Sequence, residues 1–339
     1  MGSVRGGMGG REVLTDDSRD GIAHGGDLDA ARRLFPGAPE PWLDLSTGIN
    51  PVPYPLPPLI ASALYRLPSP AADLARLKSA AAEAYGAPGP DHIVAAPGTQ
   101  ILIETLPRLM PPSRVAVLGP TYAEHAAAWT RSGHTVRMVT DPREAEGAEI
   151  VVAVSPNNPD GRVFSAEALA RVAGRGLVVL DQAFADLEPV EAARPGPGLV
   201  ILRSFGKTYG LAGLRLGFAL AEPALARRLE SALGPWAVSG PAIAAGCAAL
   251  PDAAWRREAA AARAKDAGRL DRMIGRAGGR VIGGTALFRT ADFADGPGLF
   301  RALGEAGIYV RRFVETPERL RFGLPPDKAA WCRVSRVLK

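Results

Sequence analysis

Short apolar runs alternate with helix-type periodicity through the middle of the chain, from about Leu56 to Leu233. Uninterrupted apolar runs are typical of strands buried on both faces, and their alternation with helices predicts βαβ units around a mostly parallel sheet. The predicted strands are Ile93–Ala96, Val115–Leu118, Ile150–Val154, Leu177–Leu180 and Leu199–Leu202. The predicted helices are Leu59–Leu67, Leu74–Tyr85, Ile101–Met110, Ala123–Ser132 and Ala166–Arg175.

The pattern changes after Pro235, where long helical stretches precede shorter strand-like runs. The helices are predicted over 242–250 and 253–277, and the strands over 280–282, 286–289, 308–310 and 320–322. We therefore expect an α/β fold with a large, mostly parallel-sheet domain over residues 56–235 and a smaller α+β domain over 236–339. Residues 1–23 are expected to be a flexible leader, and residues 24–55 an N-terminal arm.

Composition and charge narrow the classes of function. The net charge is +5 over 339 residues, and the charged residues are scattered along alanine-rich helices rather than gathered in a basic stripe. We therefore expect a small anionic substrate rather than nucleic acid. Cys247 and Cys332 lie far apart without metal-ligand spacing, which favours reduced thiols, no bound metal and a cytoplasmic location. The chain contains neither an apolar run of membrane-spanning length nor a secretory signal, so no membrane association is expected.

One lysine follows a predicted interior strand closely. The run 199–202 leads into Ser204-Phe-Gly-Lys207, and Arg215 follows eight residues after the lysine. A residue at the carboxyl end of such a strand faces the crevice in which open α/β sheets bind ligands. Partial desolvation there would lower the pKa of the amine, so that Lys207 could form a Schiff base with the aldehyde of pyridoxal phosphate. An ordinary solvated loop lysine is the alternative.

Other strand ends carry residues that this cofactor needs. Asp181 follows the run 177–180, where its carboxylate could keep a pyridinium nitrogen protonated. The run 150–154 leads into Ser155-Pro-Asn-Asn-Pro-Asp-Gly161. Upstream, the run 93–96 breaks at Pro97-Gly98-Thr99-Gln100 before a predicted helix, and backbone amides at a helix N-terminus can hold a phosphate. Taken alone, the sequence of this last turn is also typical of an ordinary capped turn.

Together these features resemble the fold-type I enzymes that depend on pyridoxal 5′-phosphate, the aspartate aminotransferase superfamily. The resemblance extends from about His24 to the C-terminus and is carried mainly by 204–207 and 210–215. It implies that Lys207 forms the Schiff base with the cofactor, Asp181 pairs with the ring nitrogen and Tyr122 stacks on the ring; a tyrosine packed in the core is the alternative for Tyr122. The implied cofactor-binding residues are Gly98, Thr99, Gln100, Asn158, Ser204 and Arg215. The resemblance also implies a homodimer.

The N-terminal arm resembles one branch of this superfamily. His24-Gly-Gly-Asp27 and Leu45-Ser-Thr-Gly-Ile-Asn-Pro51 are similar to the opening of threonine-phosphate decarboxylases of cobalamin biosynthesis. This resemblance implies substrate contacts from His24 and Asn50, and an amino acid phosphate as substrate. The alternative for His24 is a loop histidine in a turn before a helix.

Arginines near the C-terminus resemble the substrate-binding segments of the same branch. Arg321, in Leu320-Arg-Phe-Gly323, matches the residue that grips the substrate α-carboxylate, for which the planar guanidinium is suited. Arg311 or Arg312 could reach a substrate phosphate. Strand alternation lets only one of the two face the site, and Arg311 is preferred.

Two departures from the family pattern bear on the reaction. Phe184 stands where the family commonly has a tyrosine that helps to hold the cofactor ring oxygen, so Asn158 would make that contact alone. Leu67 stands where many histidinol-phosphate aminotransferases have a tyrosine that reaches the partner subunit's cofactor phosphate. The second departure counts against a plain aminotransferase.

Three hypotheses for function follow. The first is decarboxylation of L-threonine O-3-phosphate, and the second is amine transfer by an enzyme resembling histidinol-phosphate aminotransferase. Both reactions need the same cofactor residues, so the motifs indicate the cofactor better than the reaction. The third is a regulatory protein of this fold without turnover. Such regulators usually carry a DNA-binding domain, for which the 23 residues before His24 are expected to be too few.

Overall fold

The computed structural model describes residues 24–58, 61–174, 176–189 and 193–339, so the predicted leader, residues 1–23, lies outside the described residues. In chain order the strands are β1 (Leu43–Leu45), β2 (Ile93–Ala96), β3 (Arg114–Leu118), β4 (Thr135–Val139), β5 (Ile150–Val154), β6 (Leu177–Asp181), β7 (Leu199–Ser204), β8 (Gly217–Leu220), β9 (Arg280–Thr285), β10 (Phe288–Asp292), β11 (Ile308–Arg312) and β12 (Arg319–Gly323). The α-helices are α1 (Leu28–Leu34), α2 (Ser62–Tyr65), α3 (Ala75–Tyr85), α4 (Thr99–Arg108), α5 (Glu124–Arg131), α6 (Ala166–Ala173), α7 (Phe205–Thr208), α8 (Pro223–Leu233), α9 (Gly240–Ala249), α10 (Ala253–Arg276), α11 (Gly296–Glu305) and α12 (Lys328–Val337).

A seven-stranded sheet has the order β2-β8-β7-β6-β5-β3-β4. Strands β4, β3, β5, β6 and β7 run parallel, whereas β8 is antiparallel to both of its neighbours. Every residue of β2 and β5 is buried, in agreement with their uninterrupted apolar sequences. The predicted α/β fold with a mostly parallel sheet is therefore confirmed. The carboxyl ends of β5, β6 and β7 meet at one edge of this sheet.

A few elements differ from the sequence prediction. The helix predicted over 59–67 is only α2, because Arg66 is extended and the prolines at 68 and 70 disfavour helical geometry in the residues before them; residues 59 and 60 lie outside the described residues. The strand predicted over 286–289 begins at Phe288, since Ala286 and Leu287 form the turn from β9. Strand β4 was not predicted, because it lies at the sheet edge, where only Val139 is buried and Thr135 and Arg137 interrupt the apolar run.

A five-stranded sheet has the order β1-β11-β12-β10-β9. Its first strand comes from the N-terminal arm and pairs in parallel with β11. Helix α1 packs there too: Ala31 and Phe35 belong to the same buried cluster as Phe300 and Trp331. The arm expected over 24–55 therefore contributes a helix and a strand to the C-terminal layer, a long-range pairing that the sequence pattern did not predict.

The two sheets meet at a glycine joint, formed by Gly161 of the loop after β5 and by Gly283 and Gly284 of β9. A Cβ atom on Gly161 would lie 2.0 Å from the carbonyl oxygen of Gly284, and one on Gly283 would lie 2.0 Å from that of Asp160. All three glycines have positive φ. Only residues without side chains allow the backbones to pack this closely. The joint fixes the loop after β5 against the five-stranded sheet.

The described residues provide neither a membrane-spanning helix nor a cluster of metal ligands. No helix within 24–58, 61–174, 176–189 or 193–339 is both long and apolar enough to cross a membrane. The same ranges contain no group of three or more His, Cys, Asp or Glu residues arranged to hold a metal ion.

Candidate active site

Lys207 lies at the carboxyl edge of the seven-stranded sheet, in the single helical turn α7 that directly follows β7. Its Nζ atom lies 4.9 Å from the centre of the Phe184 ring. Burial, and then the positive charge of Arg321, lower the pKa of Lys207 to about 8 despite the opposing effect of Asp181. A larger fraction of the amine is therefore neutral and nucleophilic near neutral pH than in an exposed lysine.

Asp181 ends β6 and is 3% exposed. Its Oδ2 lies 2.9 Å from His125 Nε2, and its Oδ1 accepts a hydrogen bond of 2.9 Å from the Ala183 N–H. The buried carboxylate is thus held in one orientation by two partners. His125 was not predicted from the sequence; it lies in the first turn of α5, and its ring is 6.2 Å from that of Tyr122, which lies just before the helix.

Neighbouring strands in register bring together the residues predicted to form a phosphate cup. Ala96 at the end of β2 and Ser204 at the end of β7 both pair with Gly217 at the start of β8. The turns after β2 and β7 and the turn before β8 therefore lie side by side. Gly98 has φ +85°, and a Cβ atom there would lie 2.5 Å from Arg215 Nη2. Thr99 opens α4, whose first amides lack partners within the helix. The predicted residues Gly98, Thr99, Ser204 and Arg215 therefore converge.

Tyr122 closes another side of this region. Its hydroxyl donates a hydrogen bond of 3.0 Å to Gln100 Oε1, so the predicted cofactor residue Gln100 orients Tyr122. Burial, followed by the charge of Glu124, raises the pKa of Tyr122 to about 12. The His24 ring lies 5.9 Å from the Tyr122 ring, and His24 Nε2 lies 2.9 Å from Glu124 Oε1. The arm thus reaches Tyr122 through His24.

Arg321 of β12 points to the same region from the five-stranded sheet. Its Nη1 donates to Asn158 Oδ1 at 2.5 Å, and its Nη2 donates to the Ser46 carbonyl at 2.7 Å. Its guanidinium lies 5.0 Å from the Phe288 ring centre. Burial, and then the charge of Arg311, lower the pKa of Arg321 to about 9. Among the described residues its buried Nε has no partner, which leaves one donor for a bound anion.

Strand register separates the two candidate phosphate-binding arginines. Arg311 lies directly opposite Arg321 in the pairing of β11 with β12, so both side chains leave the sheet on the same face. Arg312 leaves on the other face, where its guanidinium lies 5.0 Å from the Phe300 ring centre of α11. The geometry therefore agrees with the preference for Arg311.

Asn50 differs from the sequence expectation of a substrate contact. It is 2% exposed, and its side-chain amide is bonded within the protein. Its Nδ2 donates to the Thr208 carbonyl at 2.9 Å, and its Oδ1 accepts from Arg263 Nη1 at 3.1 Å. The reason is local: the arm runs past the turn that carries Lys207, and Asn50 bonds to the backbone of that turn.

Phe184 fills the position of the absent tyrosine. Its ring packs edge-on against Phe288 at 5.0 Å, and a Cβ atom on Gly48 would lie 2.8 Å from Phe184 Cε1. One edge of the ring is thus tightly packed against apolar atoms, while the Lys207 Nζ lies 4.9 Å from the ring centre. Asn158 is therefore the one side chain predicted from the sequence to bond the cofactor ring oxygen, and its Oδ1 accepts a hydrogen bond from Arg321.

These groups fit pyridoxal 5′-phosphate. A nucleophilic lysine and a buried carboxylate lie at adjacent strand ends, and the Arg215 guanidinium packs against Gly98 so closely that only a residue without a side chain fits there. A model of the aminotransferase class I and II family matches residues 65–330. The chain belongs to this family.

Individual proteins show closer likeness. Curated threonine-phosphate decarboxylases from Sinorhizobium sp. and Pseudomonas aeruginosa are 44% and 40% identical to this chain, each over 94% of it and 97% of the relative. Among solved structures, the histidinol-phosphate aminotransferase of Sinorhizobium meliloti in complex with pyridoxal 5′-phosphate matches with a TM-score of 0.76 and 23% identity, over 91% of this chain and 92% of that one. This structural match shows the shared fold.

Proposed function

We propose that this protein is a pyridoxal 5′-phosphate-dependent enzyme that decarboxylates L-threonine O-3-phosphate. The observation that carries the proposal is the 40–44% identity to threonine-phosphate decarboxylases along almost the whole chain. The lysine, carboxylate and paired arginines of the site support it, because they supply what the cofactor, a carboxylate and a phosphate each require. The product, 1-amino-2-propanol phosphate, would enter cobalamin biosynthesis.

When bound, pyridoxal phosphate supplies a protonated ring that accepts the electron pair of the Cα bond standing perpendicular to it. Asp181 holds the proton at the ring nitrogen. Arg321 orients the substrate carboxylate, and Arg311 binds the phosphate. Breaking the Cα–carboxylate bond releases carbon dioxide, and the electron pair of that bond stays with the substrate, where it is available for a new bond from Cα to a proton. We assign to Lys207 the delivery of the proton that then bonds to Cα.

Amine transfer is the second candidate, since the same residues serve both reactions and the fold is shared with a histidinol-phosphate aminotransferase. The deciding assay incubates purified enzyme with L-threonine O-3-phosphate. Release of carbon dioxide without a keto acid is expected. Consumption of substrate only when a keto acid is added, without carbon dioxide, would replace decarboxylation by amine transfer.

We also propose a cytoplasmic homodimer. Large apolar side chains on and beside α2 are exposed: Tyr65 by 80%, Leu64 by 71% and Leu67 by 65%. Trp236, 54% exposed, lines a neighbouring groove together with Pro68. A second copy that covers this apolar surface would remove it from water. Sedimentation as a monomer at micromolar concentration, with activity retained, contradicts the dimer.

A further inference from the structure

The N-terminal arm caps the turn that carries Lys207. Helix α7 is four residues long, so its last carbonyls have no partner inside a continuing helix. The carbonyls of Lys207, Thr208 and Tyr209 all accept hydrogen bonds from the arm. The Asn50 N–H donates to the first and its Nδ2 to the second, both at 2.9 Å. The Tyr54 N–H donates to the third at 2.8 Å.

The Asn50 amide can be seated in only one way. Its Oδ1 accepts from the Val52 N–H and from Arg263 Nη1, both at 3.1 Å. Because both of these partners are donors, the oxygen must face them and the NH₂ group must face the Thr208 carbonyl. The backbone also packs closely, since a Cβ atom on Gly210 would lie 2.7 Å from the Asn50 carbonyl oxygen.

Arg263 connects this amide to the other sheet. It lies on α10, is 9% exposed, and donates through Nη2 to Asp266 Oδ2 at 2.6 Å. Further along α10, Leu270 and Ile274 belong to the buried cluster of the five-stranded sheet. A buried cation on the helix that covers this sheet therefore holds the amide that holds the lysine turn. Charge-assisted hydrogen bonds of this kind are stronger than neutral ones.

Thr208 is held from its other side as well. Its hydroxyl donates to Asp186 Oδ2 at 3.1 Å, and Asp186 Oδ1 accepts from Arg203 Nη1 at 2.8 Å. Both side chains are buried. Arg203 lies in β7, and Asp186 lies in the short helical turn after β6. The residue next to Lys207 is thus fixed between a support from its own layer and one from the arm.

We propose that Asn50 is a positioning residue for Lys207, and that Arg263 sets the Asn50 amide for this task. Neither side chain needs to touch the substrate. The pair couples the five-stranded layer, which carries Arg321, to the lysine turn of the other layer. Lys207 and Arg321 are thereby held at a constant separation across the site.

The test uses the holoenzymes of Asn50→Ala and Asn50→Asp, with Tyr54→Phe as control. Asn50→Asp keeps the acceptor for Arg263 but places an oxygen against the Thr208 carbonyl. Tyr54→Phe removes hydroxyl contacts of the same arm to Ala248 and Asp252 and keeps its backbone bond to Tyr209. We expect faster hydrogen exchange over residues 205–210 and a shifted pH midpoint of the cofactor's visible absorbance in both Asn50 variants. The control should match wild type.

Kinetics separate positioning from substrate binding. Loss of a buried hydrogen bond at the lysine turn should lower kcat by about ten- to a hundred-fold and change KM by less than about threefold. A raised KM with wild-type hydrogen exchange and pH midpoint would make Asn50 a substrate ligand and overturn the proposal. Exchange and absorbance do not depend on which reaction is catalysed, so failure of the proposed decarboxylation leaves this test intact.

Arg263 is tested by a double-mutant cycle of Asn50→Ala with Arg263→Met, again read by the pH midpoint. Effects that fall short of additive are expected, because Asn50→Ala already removes the amide that Arg263 holds. Additive effects would overturn the role of Arg263. If Arg263→Met does not fold, Arg263→Lys replaces it, since this variant keeps the charge. Its pH midpoint should shift in the same direction by a smaller amount. An unchanged midpoint in that variant contradicts the proposal.

Discussion

Thr290 and Arg321 lie directly opposite each other on β10 and β12, and both reach the loop that follows β5. The Thr290 hydroxyl donates to the Pro159 carbonyl at 2.6 Å, while Arg321 holds the side chain of Asn158 one residue earlier. The five-stranded sheet thus fixes both the backbone and the side chain of this loop. The residues proposed to recognise the substrate carboxylate and the cofactor therefore share one support.

Replacing Arg321 by lysine should change the product as well as the rate. The charge remains, but the planar fork that holds Asn158 and the Ser46 carbonyl is lost, so the substrate carboxylate would be held in several orientations. We expect a loss of about ten- to a hundred-fold in kcat/KM and a larger share of abortive amine transfer. The measurement is carbon dioxide released against pyridoxamine phosphate formed.

Arg319→Lys is the matched control for this variant. Arg319 lies on the same strand, but it pairs with Asp292 at 2.8 Å and is more exposed. Its replacement should leave the product ratio unchanged. If Arg321→Lys matches wild type in both rate and product ratio, another group must hold the carboxylate.

Replacing Asp181 by asparagine should leave the cofactor bound but slow turnover strongly. The change removes the negative charge at a buried position that His125 and the Ala183 N–H keep oriented. Since the lost interaction acts on the charge that develops in the transition state, a fall of at least about a hundred-fold in kcat is expected. Steady-state kinetics with absorbance of the bound cofactor checks this. Near-normal turnover would assign the ring nitrogen to a different partner.

The pH dependence of cofactor association follows from Lys207. Its pKa of about 8 means that the neutral amine becomes the major form as pH rises through that value. We expect the association rate to increase through about pH 8 and level off above about pH 9. Stopped-flow mixing of cofactor-free protein with pyridoxal phosphate measures this rate. Lys207→Ala is the control, and it should show neither the visible absorbance of a lysine-bound cofactor nor turnover.

The same group affects stability. Its pKa is 10.5 ordinarily and about 8 when folded. Between these values the unfolded chain binds more protons than the folded one, so Lys207 makes the cofactor-free protein more stable as pH rises through that range. Chemical denaturation of wild type against Lys207→Met over this range isolates the contribution. A pH trend that is equal in both proteins would contradict it.

Gly98→Ala tests the phosphate cup. The residue has φ +85°, and the added Cβ would meet Arg215 Nη2. Gly86→Ala is the control, since Gly86 also has positive φ, +68°, but nothing lies within 4 Å of its added Cβ. Both should lose about 1 kcal/mol or more of stability. Only Gly98→Ala should weaken cofactor affinity, measured by titration of the visible absorbance. If the two variants bind the cofactor equally well, Arg215 does not bind its phosphate.

The cofactor edge could be predicted from the sequence because uninterrupted apolar runs mark buried strands, and Asp181 and Lys207 follow such runs closely. His125 was missed since a histidine in a helix has no signal of its own until the strand opposite is known. The roles of Asn50 and Arg263 depend on contacts between segments far apart in the chain. The choice between Arg311 and Arg312 likewise needed the register of β11 against β12.

The glycine joint between Gly161 and Gly284 has a consequence for recombining relatives of this protein. Exchanging the C-terminal layer for one with another substrate preference would bring a foreign hairpin against the resident loop. A side chain on Gly161 or Gly283 would place its Cβ atom 2.0 Å from a backbone oxygen on the other side of the joint. The loop after β5 and the β9–β10 hairpin therefore form one unit of exchange, and a working chimera must inherit both from the same parent.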